Sequence, residues 1–229
     1  MMKDIANNIS ALYKQITVDA AKYHRNREDI TLIAVSKTRT PEEILAAAAG
    51  GQRNFGENYL QEALDKINIL AEQKLTWHFI GNIQSNKTAP IAENFDWVHT
   101  IDRKKIAQRL NDQRPAHLPS LNVCIEVNLS QENTKSGTSL EEIPTLAKSI
   151  NQMPKLRLRG LMALPAPATD FEIQRKPFRQ LADALKKLQN EGFAVDTLSM
   201  GTTADYKAAI AEGTTMVRLG TAVFGPRTQ

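Results

Sequence analysis

Apolar residues recur at Ile5, Ile9, Leu12, Ile16 and Tyr23, a spacing that lays one stripe along a helix. It predicts an N-terminal helix over 1–25. From residue 30 the pattern changes to short apolar runs that alternate with helical stretches. A β-rich run covers 31–37, and Pro41 opens a helix that ends near Gly50-Gly51, the usual proline-first, glycine-last asymmetry. Further strands are predicted over 53–56, 77–81 and 97–100, with helices over 57–70, 84–93 and 102–111. The second half repeats the rhythm, with strands over 122–128, 156–164, 197–200 and 215–219. Helices over 139–151, 170–191 and 204–212 separate them.

Strict strand–helix alternation argues for a parallel sheet. Eight such units argue for a closed (β/α)8 barrel of the TIM type. A doubly wound open sheet is the alternative, because very short strands are easily miscounted. The segment 114–120 holds Pro115 and Pro119 but is short enough for an ordinary loop. The whole chain, 1–229, therefore reads as one domain, with the barrel over 30–225 and the first helix as an addition.

Composition changes this picture little and excludes several functions. Hydrophobic residues make up 41% and charged residues 24%, ordinary values for a globular chain. The net charge is +4, but the basic residues are scattered, densest at Lys104-Lys105 and Lys186-Lys187 in helical stretches. Nucleic-acid binding needs a basic stripe or a motif, and neither is present. No apolar run approaches the roughly 20 residues that span a membrane. Met1-Met2-Lys3-Asp4 leads into no apolar stretch, so no signal peptide is expected and the cytoplasm is. One cysteine, Cys124, forms no internal disulfide and fits a reducing compartment as a small buried apolar residue. His78 and His99 sit among apolar neighbours and read as core histidines. No His-x-x-x-His pair, nucleophile elbow or Walker-type loop occurs, and no metal is expected.

In a parallel barrel, functional groups gather at the C-terminal ends of the strands. Alternation puts Ile33, Val35 and Lys37 on one face of the first strand, so Lys37 would point into the mouth. Burial disfavours the charged form of an amine, and a neutral amine can attack an aldehyde to form a Schiff base. A lysine snorkelling to solvent is the alternative on position alone. Ser199-Met200-Gly201-Thr202-Thr203 offers hydroxyls and backbone N–H groups before a helix, a setting that favours phosphate. Gly220-Thr221 gives a second glycine turn after the last strand, and barrels often hold phosphate after strands seven and eight. Arg218 shares a face with Met216 and Gly220, and would meet either a phosphate or the ring nitrogen of a cofactor.

These residues belong to a longer ordered set. It runs Ala34-Val35-Ser36-Lys37, Phe55-Gly56-Glu57-Asn58-Tyr59, Trp77-His78-Phe79-Ile80-Gly81 and Gln84-Ser85-Asn86-Lys87. It continues through Val127-Asn128, Glu132, Lys135-Ser136-Gly137 and Gly160-Leu161-Met162. It closes with Ser199-Met200-Gly201, Asp205, Ala209-Ile210, Gly213 and Val217-Arg218-Leu219-Gly220-Thr221. In this the chain resembles the YggS/PROSC-type family of pyridoxal phosphate homeostasis proteins, from about Ile30 to Arg227. The resemblance implies a barrel like the N-terminal domain of alanine racemase, the type III fold of pyridoxal 5′-phosphate (PLP) proteins. It implies a PLP Schiff base on Lys37, phosphate contacts from Ser199, Gly201, Thr202, Thr203, Gly220 and Thr221, and Arg218 at the pyridine nitrogen. Asn58 and Met162 would lie beside the cofactor. One departure stands out: the family usually has Met-Ser where this chain has Thr202-Thr203. Thr203 keeps the hydroxyl, and altered packing is expected around the phosphate.

Two functions from different classes follow. One is a PLP carrier that buffers or delivers the cofactor, with apo PLP-dependent enzymes as recipients and no robust catalysis of its own. The other is an amino-acid racemase, which needs a second acid–base group facing Lys37. Of the four tyrosines, Tyr59 and Tyr206 lie near functional loops. A third reading, an aldolase-like barrel whose lysine traps a substrate carbonyl, lacks the other landmarks. A monomer is expected.

Overall fold

The computed structural model describes residues 2–130 and 136–226. Glu132, Lys135 and Arg227 lie outside the described residues. The first helix, α1 (Met2–Ala21), buries the predicted stripe of Ile5, Ile9 and Ile16 and packs against the helices numbered α2, α8 and α9 below. The alternation then runs β1 (Thr31–Val35), α2 (Pro41–Ala49), β2 (Asn54–Glu57), α3 (Leu60–Ile69), β3 (Thr76–Phe79) and α4 (Thr88–Asn94). It continues with β4 (Trp97–Ile101), α5 (Lys104–Gln113), β5 (Leu121–Glu126), α6 (Ile143–Asn151) and β6 (Leu156–Met162). It ends with α7 (Phe171–Asn190), β7 (Thr197–Ser199), α8 (Tyr206–Ala211), β8 (Met216–Leu219) and α9 (Thr221–Phe224).

The eight strands close into a parallel barrel in sequence order, with β1 paired to β8 through Ile33 and Arg218. That closure removes the open-sheet alternative. Most apolar burial lies between the strands and the surrounding helices, while a second cluster of Ile33, Trp97, Cys124, Met162 and Met216 fills the barrel itself. Ile33 and Met216 thus point inward, as alternation requires of the strand that leads to Lys37 and the strand that carries Arg218. Among the described residues, no helix is long and apolar enough to cross a membrane.

Several boundaries differ from the sequence reading, for local reasons. Glu57 ends β2 instead of opening a helix, and α3 starts at Leu60. The α6 helix starts at Ile143, because the Glu142 carboxylate accepts from Thr138 Oγ1 and Ser139 N and holds a turn there. In the same way Asp205 holds a turn ahead of α8. The strands stop short of Lys37, Gly81, Asn128 and Met200, so those residues belong to loops at the mouth. The four-residue α9 was not expected.

Candidate functional site

A cavity of about 420 Å³ opens at the C-terminal mouth of the barrel. Eight of the ten residues singled out in the sequence line it: Lys37, Asn58, Met162, Thr202, Thr203, Arg218, Gly220 and Thr221. Ser199 and Gly201 are buried and do not line it.

Lys37 sits on a braced turn. The hydroxyl of Ser36, fully buried, donates to Glu57 Oε1 at 2.6 Å. Lys66 Nζ donates to the Ser36 carbonyl at 2.7 Å and to Glu57 Oε1 at 2.9 Å, and also pairs with Glu62. Thr38 N donates to Glu62 Oε1 at 2.5 Å. Both chain neighbours of Lys37 are therefore fixed by one buried charge cluster. Thr38 has φ 64°, a left-handed conformation uncommon for a β-branched residue, and the Glu62 contact holds it. Burial pushes the Glu57 carboxyl above its ordinary range, partly offset by Lys66.

Arg218 is buried, and two of its nitrogens are anchored to protein. Nη1 donates to the Ser199 carbonyl and to Ser199 Oγ, each at 2.7 Å, and Nη2 donates to the Ala163 carbonyl at 3.0 Å. Among the described residues no acceptor meets Nε. Burial lowers the guanidinium to about 10, with Asp205 and Glu126 opposing, so it stays charged at neutral pH. Ser199, expected among the phosphate contacts, has its hydroxyl within hydrogen-bond distance of both Arg218 Nη1 and His99 Nδ1.

The turn after β7 also differs in detail. Thr202 N and Thr202 Oγ1 both donate to Asp205 Oδ1, at 2.6 and 2.8 Å, so the Thr202 hydroxyl proton is committed. Thr203 is the one residue of Ser199, Thr202 and Thr203 whose hydroxyl has no protein partner among those described. Gly201 has φ +96°, and a Cβ there would lie 2.7 Å from the Ala209 Cβ, so glycine is required for α8 to pack.

Val35, which alternation had placed on the face of Lys37, lines the cavity too, as do Arg39, Ile80, Asn82, Glu126, Leu164 and Ala204, which were not singled out. Glu126 is a strand-end position that alternation could have selected. Glu126 is the most informative: burial raises its carboxyl to about 7, with Asp102 adding and Arg218 opposing. Arg39 is held by Glu43 at 3.2 Å and by the Gly225 carbonyl at 2.6 Å, which needed the fold to see. A second cavity of about 410 Å³ adjoins the first and shares Asn82, Glu126, Leu164, Thr202 and Ala204. Neither Tyr59 nor Tyr206 lines the first cavity; burial and Asp19 push the Tyr206 phenol up to about 12. Among the described residues, no group of three His, Cys, Asp or Glu side chains could hold a metal ion. Cys124 is buried and its thiol is pushed up to about 12, which disfavours a thiolate. The mouth thus brings together a lysine amine, an anchored guanidinium and two turns after β7 and β8. That set suits an anionic ligand bearing a carbonyl.

Residues 9–228 match the family described as alanine racemase, N-terminal domain. The pyridoxal phosphate homeostasis protein of Escherichia coli is 52% identical over 229 residues, covering 99% of this chain and 98% of that one. The protein of the same name in Pseudomonas aeruginosa is 52% identical over 226 residues, covering 99% and 97%. PipY of Synechococcus elongatus, solved with PLP bound, superposes with a TM-score of 0.83 at 33% identity, covering 96% of this chain and all of that one. Alanine racemase from Corynebacterium glutamicum superposes with a TM-score of 0.74 at 18% identity, a likeness of fold covering 99% of this chain and 62% of the racemase.

Proposed function

Because this chain belongs to the alanine racemase N-terminal domain family, and within it to the pyridoxal phosphate homeostasis proteins, we propose that it binds PLP as a Schiff base on Lys37 and serves PLP homeostasis by buffering or delivering the cofactor. The observation that carries the reading is the convergence of Lys37, Arg218, Thr203, Gly220 and Thr221 on one cavity. The residues present fit the cofactor. The volume is within the about 300–1,000 Å³ of small-molecule sites. Asn58 Oδ1, buried and without a hydrogen-bond partner among the described residues, lies in a residue that lines the cavity.

When bound, PLP supplies an aldehyde that an amine can capture and a pyridine ring that withdraws electrons. Lys37 supplies the amine. Thr203 and the turn at Gly220-Thr221 would hold the phosphate, and Met162 and Asn58 would lie beside the ring. Gly201 and Ser199 act from behind, by shaping the turn and anchoring Arg218. Arg218 would face the pyridine nitrogen with its Nε–H, and an arginine there would keep that atom from taking a proton. A ring nitrogen left unprotonated withdraws electrons weakly, which favours holding the cofactor over carbanion chemistry. The buried single cysteine fits a cytoplasmic role, and apo PLP-dependent enzymes are the recipients in this reading.

A second reading, amino-acid racemisation, is favoured by one observation: Glu126 lines the cavity with a carboxyl near neutral, a usable acid–base partner for Lys37. The two part on α-proton exchange. The carrier leaves the α-proton of alanine and other free amino acids unexchanged in D2O. Exchange that disappears in Glu126→Gln while PLP stays bound establishes the racemase.

A further inference from the structure

A line of buried polar side chains crosses the barrel interior behind Arg218. Arg218 Nη1 meets Ser199 Oγ at 2.7 Å. Ser199 Oγ meets His99 Nδ1 at 2.8 Å, and His99 Nε2 meets His78 Nδ1 at 2.9 Å. His78 Nε2 meets Asn54 Oδ1 at 3.0 Å. Ser199, His99 and His78 are all fully buried, so each donor in the line needs an acceptor within it.

The protons in this line have one consistent arrangement, and both ends dictate it. A guanidinium only donates, so Ser199 Oγ accepts from Arg218. No other acceptor for the Ser199 hydroxyl exists among the described residues, so its proton goes to His99 Nδ1. At the far end Asn54 Oδ1 only accepts, so His78 carries its proton on Nε2 and accepts at Nδ1. His99 must then donate from Nε2, which agrees with the assignment from the other end. Burial holds both rings neutral: His78 is lowered to about 3, and His99 falls well below its ordinary value, with His78 and Arg218 adding to its burial. His78 also stacks on Trp97, with centroids 5.6 Å apart and planes 18° apart, which fixes its ring plane.

We propose that Ser199, His99, His78 and Asn54 form a one-way hydrogen-bond chain that positions the Arg218 guanidinium and leaves Nε–H as its donor to the ligand ring. They are positioning residues, since none of them lines the cavity. The aligned bonds polarise one another and present the acceptor end to the buried cation. Ser199 carries two of the three protein contacts of that cation. The part that concerns the ligand ring rests on the PLP reading above.

The test has two arms. In the ligand-free protein, nitrogen-15 NMR reports the tautomer of each histidine. The chain predicts neutral rings at neutral pH with the proton on Nε2 in both; an Nδ1–H tautomer or an imidazolium in either ring overturns it. In the holo-protein, the pH titration of the PLP chromophore is compared among wild type, Ser199→Ala, Ser199→Thr and His99→Phe. The Ala variant loses a hydrogen bond to a charged group, which corresponds to about tenfold weaker PLP binding. Its chromophore midpoint shifts as the ring nitrogen gains access to a proton, and the Thr variant restores both. A midpoint unchanged in Ser199→Ala and in folded His99→Phe overturns the coupling to Arg218. A protein that binds no PLP at all defeats the functional reading, while the tautomers still judge the chain itself.

Discussion

Glu126 lines both cavities at the mouth, and its charge state is set mainly by burial. Its carboxyl is raised from 4.5 to about 7, so between these values the folded state holds more protons than the unfolded one. Folding stability then falls as pH rises through that window. Glu126→Gln is expected to flatten this part of the stability–pH curve and to stabilise the apo-protein at pH above about 7, by at most about 3 kcal/mol. Urea unfolding of both proteins at acid and alkaline ends of the window measures it; parallel curves contradict the burial account. Gly201 gives a second residue-scale expectation. With φ +96° and a Cβ that would press on Ala209, Gly201→Ala should cost about 1–3 kcal/mol and weaken PLP binding through the displaced turn. Arg218 was legible in the sequence because strand alternation fixes which face a side chain takes, and Lys37 lines the same cavity from the loop just past β1. The contacts of Ser199 with Arg218 and His99 were not legible, because a serine hydroxyl looks the same in the sequence whether it meets a ligand or an arginine from the next strand. Glu126 was missed because a strand-end carboxylate carries no sign of burial until its neighbours on other strands are known.

At the scale of elements, the β1–α2 connection is held by charge from α3. Lys66, 4% exposed, joins the Ser36 carbonyl to Glu57 and Glu62. Lys66→Met leaves Glu57 buried without its cation, and breaking such a pair costs about 3–5 kcal/mol. Chemical denaturation should show this loss, with part recovered in Lys66→Met/Glu57→Gln, whose buried charge is removed as well. A single variant as stable as wild type would mean that the cluster does not brace the turn beside Lys37. The strand–helix order was legible because period-two apolar runs and capped helices alternate along the chain. Thr40 with Glu43, and Asp170 with Ile173, cap helices at the expected places. The late starts of α6 and α8 were not legible, since Glu142 and Asp205 each hold a turn that competes with the helix. The short α9 left no periodic signal.

At the scale of the molecule, one closed barrel carries Lys37 on the first strand–helix loop and the glycine turns after the last two strands, which closure makes neighbours. The chain matches its relatives over nearly their full length but spans 62% of an alanine racemase. The central claim is that this mouth holds PLP covalently on Lys37. The most direct test is the absorbance spectrum of the purified protein with PLP, before and after borohydride, beside Lys37→Ala. A Schiff base on Lys37 gives the wild type a visible band that borohydride bleaches, leaving a stable adduct on the Lys37 peptide, and gives the variant no such band. An equal band in Lys37→Ala, or none in the wild type with excess PLP, would contradict it.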